Sequence, residues 1–498
     1  MKNISHFTCL GTIFCIGLLY LLLPSVNHSG DTYEYALAIR DGADLFAPHH
    51  LLYNVFYFLL AQTFHITDTL RFICCMNALF AAGCLLFINA LLSSVVENKT
   101  RMLVLISLGF CFGFMRYATT GETYILPLFF SLWASYLAFK RKNSCFTALI
   151  ASLACLFHQI HFFWWLGLLF FVLMIHEGKR WKVFVWYGIS SCIVPLAYLL
   201  VFYLTKNDSS SVFEFIVHDY VHNDDVEFAL QTKALFLTPV SFVRTFYQVH
   251  GYILPLMRKY PVFIFFALLS GVCGIMGCRQ LLRCRKTLNG NRFERRFAQA
   301  HLFIFVLQLL FAFISDGNAE FMVMLPFALV LFIFFRYRFQ QLSLAALTIS
   351  LFVWNLFLGM LPFHFFELTP APAMVRYIEN HPENVYYLKD RQTVATHLHY
   401  RMPDNKTQLY SIKHGNTKQL DLFLQQGYGV MSDVSTPTLM SRAALLPVNP
   451  EWLSGYNIQK QDSIPFDFGV LIVSRISSNS LSKNGSQGRE LFPVIFAR

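Results

Sequence analysis

Of the chain's 498 residues, 56% are hydrophobic and only 13% charged, about half the charged share of an ordinary soluble domain, which excludes a purely water-soluble fold. The net charge of +11 does not point to nucleic acid, because its densest cluster, Arg279, Arg283, Arg285, Lys286, Arg292, Arg295 and Arg296, lies in a short stretch between two apolar blocks, where basic residues set membrane topology. The 12 cysteines lie in or beside apolar segments, with none after Cys284 and no CxxC spacing, which argues against both a zinc site and a disulfide framework.

The apolar blocks are uninterrupted and lack the alternation of barrel strands, so they read as helices crossing a hydrocarbon layer about 30 Å thick. Spans are expected near 7–25, 72–94, 102–116, 123–139, 145–158, 161–176, 183–204, 260–278, 298–314, 321–335 and 341–361. Residues 7–25 follow Met1 and Lys2, and no small-residue cleavage site comes after Leu23-Pro24-Ser25, so they are read as an uncleaved first span. Residues 51–64 are apolar but short and are expected to be re-entrant or interfacial. The groups at Lys140, Arg141 and Lys142, at Lys179, Arg180 and Lys182, in the 279–296 cluster, and at Arg336 and Arg338 are separated by even numbers of crossings, which makes them all cytoplasmic. The N-terminus is then inside, and the outer face carries the loop 27–50, the turns 117–122, 158–161 and 315–320, and the stretch 205–259. From about 363 the composition becomes that of a soluble domain, with strand candidates at Tyr428 to Ser432, Phe468 to Val473 and Leu491 to Phe496 and a helical pattern at Thr417 to Gln426. The predicted fold class is an all-α polytopic membrane bundle of about 11 spans, residues 1–362, with a small C-terminal α/β domain, residues 363–498. The expected location is a bacterial inner membrane with that domain in the periplasm.

The outer face gathers the residues that can carry chemistry. Directly after the first span comes Gly30-Asp31-Thr32-Tyr33-Glu34-Tyr35, where Asp31 and Glu34 share a helix face at i, i+3. Such a pair orients an acceptor, holds a metal or supplies a base; alternatively, Asp31 simply caps a surface helix. Pro48-His49-His50-Leu51-Leu52-Tyr53 offers paired histidines for phosphate or metal, or an interfacial anchor. The turn His158-Gln159-Ile160-His161 has no third ligand nearby and no HExxH, so a polar hairpin facing a cavity is favoured over a metal site. Glu122, at the outer start of a span in Thr119-Thr120-Gly121-Glu122-Thr123-Tyr124, is costly at membrane depth unless it faces a cavity or a partner; the bland reading is a carboxylate complementing a helix dipole. Arg116 is placed to bind a lipid-linked phosphate bidentately, or else to pair with Glu122. Asp316, Asn318 and Glu320 form a similar polar turn, and Arg244, Arg258 and Lys259 add positive charge.

This order of parts resembles the GT-C type membrane glycosyltransferases: an acidic D-x-x-E after span one, a His-Pro-rich stretch leading into Leu-Tyr, an outer Glu-x-Tyr opening a span, and a hairpin with paired histidines. It looks closest to the branch linked to protein O-mannosylation. The motifs cover about residues 7 to 180, and the remaining spans match in general layout. The resemblance implies transfer of a sugar, with inversion, from a polyprenyl-phosphate donor to a protein, lipid or glycan acceptor at the outer face of the bilayer. It makes Asp31 the catalytic base and Glu34 the second acid, with Glu122 and Tyr124 as the Glu-x-Tyr element and His158 and His161 as the hairpin histidines. His49, His50, Tyr53 and Arg116 join them as candidates for donor binding. The departure is at Pro48-His49-His50, where the family has a Pro-Pro-Gly-containing version, so the pose of this loop and the roles of its histidines stay open. No metal or other cofactor is expected. Two rival readings are a lipid-linked polysaccharide polymerase or ligase, and a transporter or flippase; the latter would favour midplane polar sites and internal repeats, and no repeat is visible.

Overall fold

Among the described residues of this computed structural model, five helices are long and apolar enough to cross a membrane: Thr69–Leu92, Arg180–Leu204, Val262–Gln280, Arg292–Ile314 and Gln341–Phe365. A sixth crossing is made if the bent pair Asn98–Gly109 and Phe112–Ala118 counts as one, and the shorter apolar helices are Thr8–Leu22, Ile125–Phe139, Ser144–Phe157 and Gln159–Ile175. This is the make-up of an integral membrane protein. Length and composition alone single out five or six of the about 11 expected crossings; the first block lies in the 21-residue helix Lys2–Leu22, and blocks such as 123–139, 145–158 and 161–176 form shorter apolar helices. The structure describes all residues except 1, 206–208, 222–231, 250, 284–285, 288–289, 414, 438–449 and 479–498. The chain folds as two compact units, Met1–Phe366 and Glu367–Arg498.

Three local departures from the expected spans have physical causes. The block 102–116 is not one straight helix, because it bends by 67° between Asn98–Gly109 and Phe112–Ala118. Gly109 allows the first helix close, since a Cβ there would lie 2.9 Å from Ile16 Cδ1. The carbonyls released at the break are taken up by side chains: the Tyr20 hydroxyl donates to the Gly109 carbonyl, and Asn355 Nδ2 donates to the Phe110 carbonyl at 2.5 Å. The basic stretch 279–296 is only partly a loop. Arg279 and Arg283 end helix Val262–Arg283, and Arg292, Arg295 and Arg296 lie on the first turns of Arg292–Ile314, started by a capping box between Asn291 and Glu294. The segment 51–64 contains an 11-residue helix, Tyr53–Thr63, about half the length that crosses a bilayer.

The C-terminal unit is α/β. Its five-stranded sheet runs Gln408–Ser411, Val385–Leu388, Val430–Ser432, Gly469–Ser478, Tyr456–Phe466, the first three parallel and the last two an antiparallel hairpin. Helices Arg391–Arg401 and Thr417–Gln425 supply the crossovers that parallel strands need. Strand alternation splits Val385–Leu388 between two cores: Tyr386 and Leu388 pack with Met374 and Ile378, and Val385 and Tyr387 with Leu420 and Phe423. The expected strand at 491–496 lies outside the described residues.

Candidate functional site

The turn between helices Phe112–Ala118 and Ile125–Phe139 is clamped from two sides. Asn77 donates from Nδ2 to the carbonyls of Thr120 at 2.8 Å and Glu122 at 2.7 Å. The Tyr53 hydroxyl lies 3.1 Å from the Gly121 carbonyl and donates to it. Gly121 leaves no room for a side chain, since a Cβ would sit 2.4 Å from Ile73 Cδ1 and 2.9 Å from Thr32 Cγ2. The clamp aims the Glu122 carboxylate inward, where it is 6% exposed and Oε1 accepts from the Ser29 hydroxyl and, at 3.1 Å, from Thr32 Oγ1. Burial first, then the charges of Glu320 and Asp31, hold the Glu122 carboxyl well above the usual carboxylate range, against the pull of the Ser29 bond and Arg116. A carboxyl so placed is protonated far more readily than an exposed one.

Ser29 has a second job that decides one reading of Asp31. It is the N-cap of helix Gly30–Asp41, accepting from the Thr32 amide at 3.1 Å. Asp31 is therefore not the cap; it lies within the first turn, half-buried, and its charge reaches Glu122. Glu34, three residues on, is exposed. The i, i+3 pair thus shares a helix but not an environment.

Glu320 brings a third carboxylate from a distant part of the chain. It opens the turn Glu320–Met322, after Asp316 and Gly317 with positive φ of 56° and 70°, and its amide donates to Asn318 Oδ1 at 2.9 Å. Its Oε2 accepts from the Tyr124 hydroxyl at 2.9 Å and Oε1 from Tyr117 at 3.3 Å. Asp316 lies in the same turn, as expected, and is paired with Lys233 at 2.8 Å. The Arg116 guanidinium lies over the rings of Tyr117 and Phe363, 5.5 and 5.9 Å from their centroids, in the field of Glu320 and Glu122. Among the described residues it forms no ion pair, so the alternative reading of Arg116, a pairing with Glu122, is not what is built. Arg244 feels the charges of Arg116 and Glu320 and joins the same cluster.

Beside the carboxylates lies an aromatic and imidazole wall. His50 is 2% exposed, its ring 4.9 Å from Tyr35, 3.8 Å from His49 and 6.2 Å from His158, and neither ring nitrogen has a hydrogen-bond partner among the described residues. The two groups touch through Tyr124, whose ring centroid is 5.2 Å from that of His158. The loop is anchored by Gln159 and Tyr198, which both donate to the Pro48 carbonyl, at 3.0 and 2.6 Å. Burial pushes the His50 and His158 imidazoles well below their ordinary pKa, so both are neutral at neutral pH. Neutral rings donate single hydrogen bonds and do not attract an anion by charge. His161 turns elsewhere, with Nδ1 2.7 Å from Ser131 Oγ, so the two hairpin histidines do not form one site. Among the described residues no three His, Cys, Asp or Glu side chains are grouped to hold a metal.

The sequence brought out Asp31, Glu122, Arg116 and Tyr124, and these meet. Glu320 was visible only as one acid in a polar turn, and Ser29 and Asn77 carried no signal of their own.

Among solved structures, the apo form of an oligosaccharyltransferase from Archaeoglobus fulgidus is 10% identical, aligns over 94% of this chain and 76% of that one, and has a TM-score of 0.49. The same archaeal enzyme with an inhibitory peptide and a dolichol-phosphate is 11% identical, covers 94% and 76% of the two chains, and scores 0.41. With TM-scores below 0.5, these likenesses carry no argument about fold or chemistry. No family model and no curated protein matches the chain.

Proposed function

We propose that the chain is a membrane glycosyltransferase that moves a sugar from a polyprenyl-phosphate donor to an acceptor hydroxyl, with inversion, at the end of the bundle where the carboxylates gather. The observation that carries this reading is the meeting of Asp31, Glu122 and Glu320 with Arg116 and Arg244 under a tyrosine rim, at the ends of apolar helices. A donor with an isoprenoid tail needs a site that is part membrane and part polar, and this cluster supplies both.

In this reading the acceptor O–H gives its proton to the Asp31 carboxylate as its oxygen bonds to the anomeric carbon. The bond from that carbon to the phosphate oxygen breaks on the opposite face, releasing polyprenyl phosphate. Arg116 and Arg244 face the charge that builds on the departing phosphate. Glu122, kept protonated by burial, donates a hydrogen bond to the sugar instead of repelling the phosphate. Tyr124 and Tyr117 fix Glu320, and the neutral histidines line the sugar side. The sequence resemblance supports Asp31 in the base role; the acidic partner on this geometry is Glu320 in place of the exposed Glu34.

The test offers purified wild type and Asp31→Asn a panel of polyprenyl-phosphate sugars with hydroxyl acceptors and counts released polyprenyl phosphate. Wild type is expected to consume at least one donor, and a folded Asp31→Asn to lose about 10²- to 10⁴-fold in rate, the usual contribution of a general base. Equal turnover by the two proteins would remove Asp31 from the role, and no consumption of any donor would count against the reaction itself.

A further inference from the structure

At the opposite, basic end of the helices, a groove of about 490 Å³ lies between helices Phe162–Ile175, Arg180–Ser191 and Arg292–Ile314. Its floor is apolar, formed by Leu173 and Met174, and its aromatic walls are open: Phe170 is 41% exposed, Phe184 55% and Trp181 62%. These rings need no water-soluble partner to cover them, because Arg180–Leu204 is long and apolar enough to cross a membrane and only 17% of its apolar window is buried inside the protein. Its outward face meets acyl chains.

The rim is cationic. Arg180 and Arg296 line the groove, and Arg296 also feels the charge of Arg292, against that of the Glu177 carboxylate. The Arg296 guanidinium is held in place by donating from Nη1 to the Met174 carbonyl, one of the last-turn acceptors of its helix. Among the described residues it makes no other hydrogen bond, and none of these three arginines forms an ion pair. Two lining guanidinium groups with a third, Arg292, in their field, against one carboxylate, leave two positive charges to be balanced by something at the membrane surface. A tryptophan beside them, Trp181, is the side chain favoured at headgroup depth.

We infer that this groove is a binding site for an anionic phospholipid of the surrounding bilayer, its phosphodiester held by Arg180 and Arg296 with the charge of Arg292 beside them, and an acyl chain lying along Phe170, Trp181 and Phe184. The charge count selects the occupant. A zwitterionic lipid brings its own ammonium group to a rim that already carries excess positive charge, whereas a lipid with a neutral polar head leaves its phosphate charge available. The inference rests on the membrane reading of the chain and is independent of the sugar-transfer chemistry.

The experiment uses the full chain in detergent, offered equal amounts of phosphatidylglycerol and phosphatidylcholine with matched acyl chains, and counts retained lipid by native mass spectrometry. Wild type is expected to retain phosphatidylglycerol over phosphatidylcholine by at least about fivefold. The surface double variant Arg180→Gln/Arg292→Gln leaves the Arg296–Met174 bond intact and is expected to lose that preference. Lys140→Gln/Lys142→Gln, on another basic turn with both side chains exposed, is expected to keep it. Equal retention of the two lipids by wild type, or a preference that survives the arginine double variant, overturns the site.

Discussion

Each unit of the molecule buries an acid, and the two acids are housed in opposite ways. In the C-terminal unit Asp433 is 7% exposed and accepts from the Lys389 amide at 2.9 Å, with the Lys389 ammonium close enough to favour its charge. The same lysine donates from Nζ to the Thr436 carbonyl at 2.7 Å, so acid, base and loop brace one another. Glu122 in the membrane unit is buried to a similar degree, but its hydrogen-bond donors are hydroxyls, its largest charge influences are two further acids, and among the described residues no cation is paired with it. A buried carboxylate with a cation and a backbone donor is what a stable loop requires; one crowded by like charge costs stability and persists where something else uses it. The comparison marks the Glu122 cluster, and not Asp433, as the place to look for chemistry.

The largest effect that can break this comparison is at Arg116. If the cluster exists to meet a phosphate, Arg116→Gln lowers donor turnover by about 10²-fold, on the scale of losing one charge-stabilising donor, with the thermal midpoint nearly unchanged because the guanidinium holds no ion pair among the described residues. A large drop in thermal midpoint with unchanged turnover would make Arg116 a structural cation and return Glu122 to the same class as Asp433.

Glu122→Gln sharpens the contrast through pH. Because burial and neighbouring acids hold the Glu122 carboxyl high, wild type should lose turnover as pH rises through that elevated pKa and the neutral acid becomes a third negative charge near the leaving phosphate. Glutamine keeps the neutral shape, so the variant should be within about threefold of wild type at low pH and should lack the alkaline decline. The pH–rate profiles of the two proteins decide it, since a decline of equal size in both cannot belong to Glu122.

Hydropathy found most of the bundle because a membrane helix is an average over some twenty side chains, and averages tolerate local error. Breaks and sites are set by single partners. The bend after Gly109 is invisible in Phe110-Cys111-Phe112, which is as apolar as its flanks; what permits it is Asn355, some 245 positions away, bonding the released carbonyl. Asp31 and Glu122 stood out as acids beside apolar blocks, where charge is expensive. Glu320 is just as close to the cluster, but nothing in its local sequence separates it from Asp316, and only the tertiary arrangement sends one to Tyr124 and the other to Lys233. His50 was legible as a residue but not as a charge state, because its neutrality comes from burial, in a pocket where its ring meets those of Tyr35 and His158.

The smallest effect tests the other half of the comparison. Burial raises the Asp433 carboxyl from its ordinary value of 3.8 to about 6, against the pull of Lys389. The folded state therefore binds the proton more tightly than the unfolded chain, so this group's contribution favours folding below the unfolded pKa and fades as pH rises through the window from 3.8 to about 6. Asp433→Asn removes that titration while keeping an acceptor for the Lys389 amide. The difference in unfolding free energy between variant and wild type, followed by chemical denaturation, should shift in the variant's favour on going from pH 4 to pH 7, by an amount on the order of 2 kcal/mol, with donor turnover unaffected. A difference that stays flat over that range would mean that Lys389 fully offsets the burial of Asp433. The contrast with Glu122 would then be wider, since the burial of one acid would be wholly offset by its surroundings and that of the other only in part, by Ser29 and Arg116.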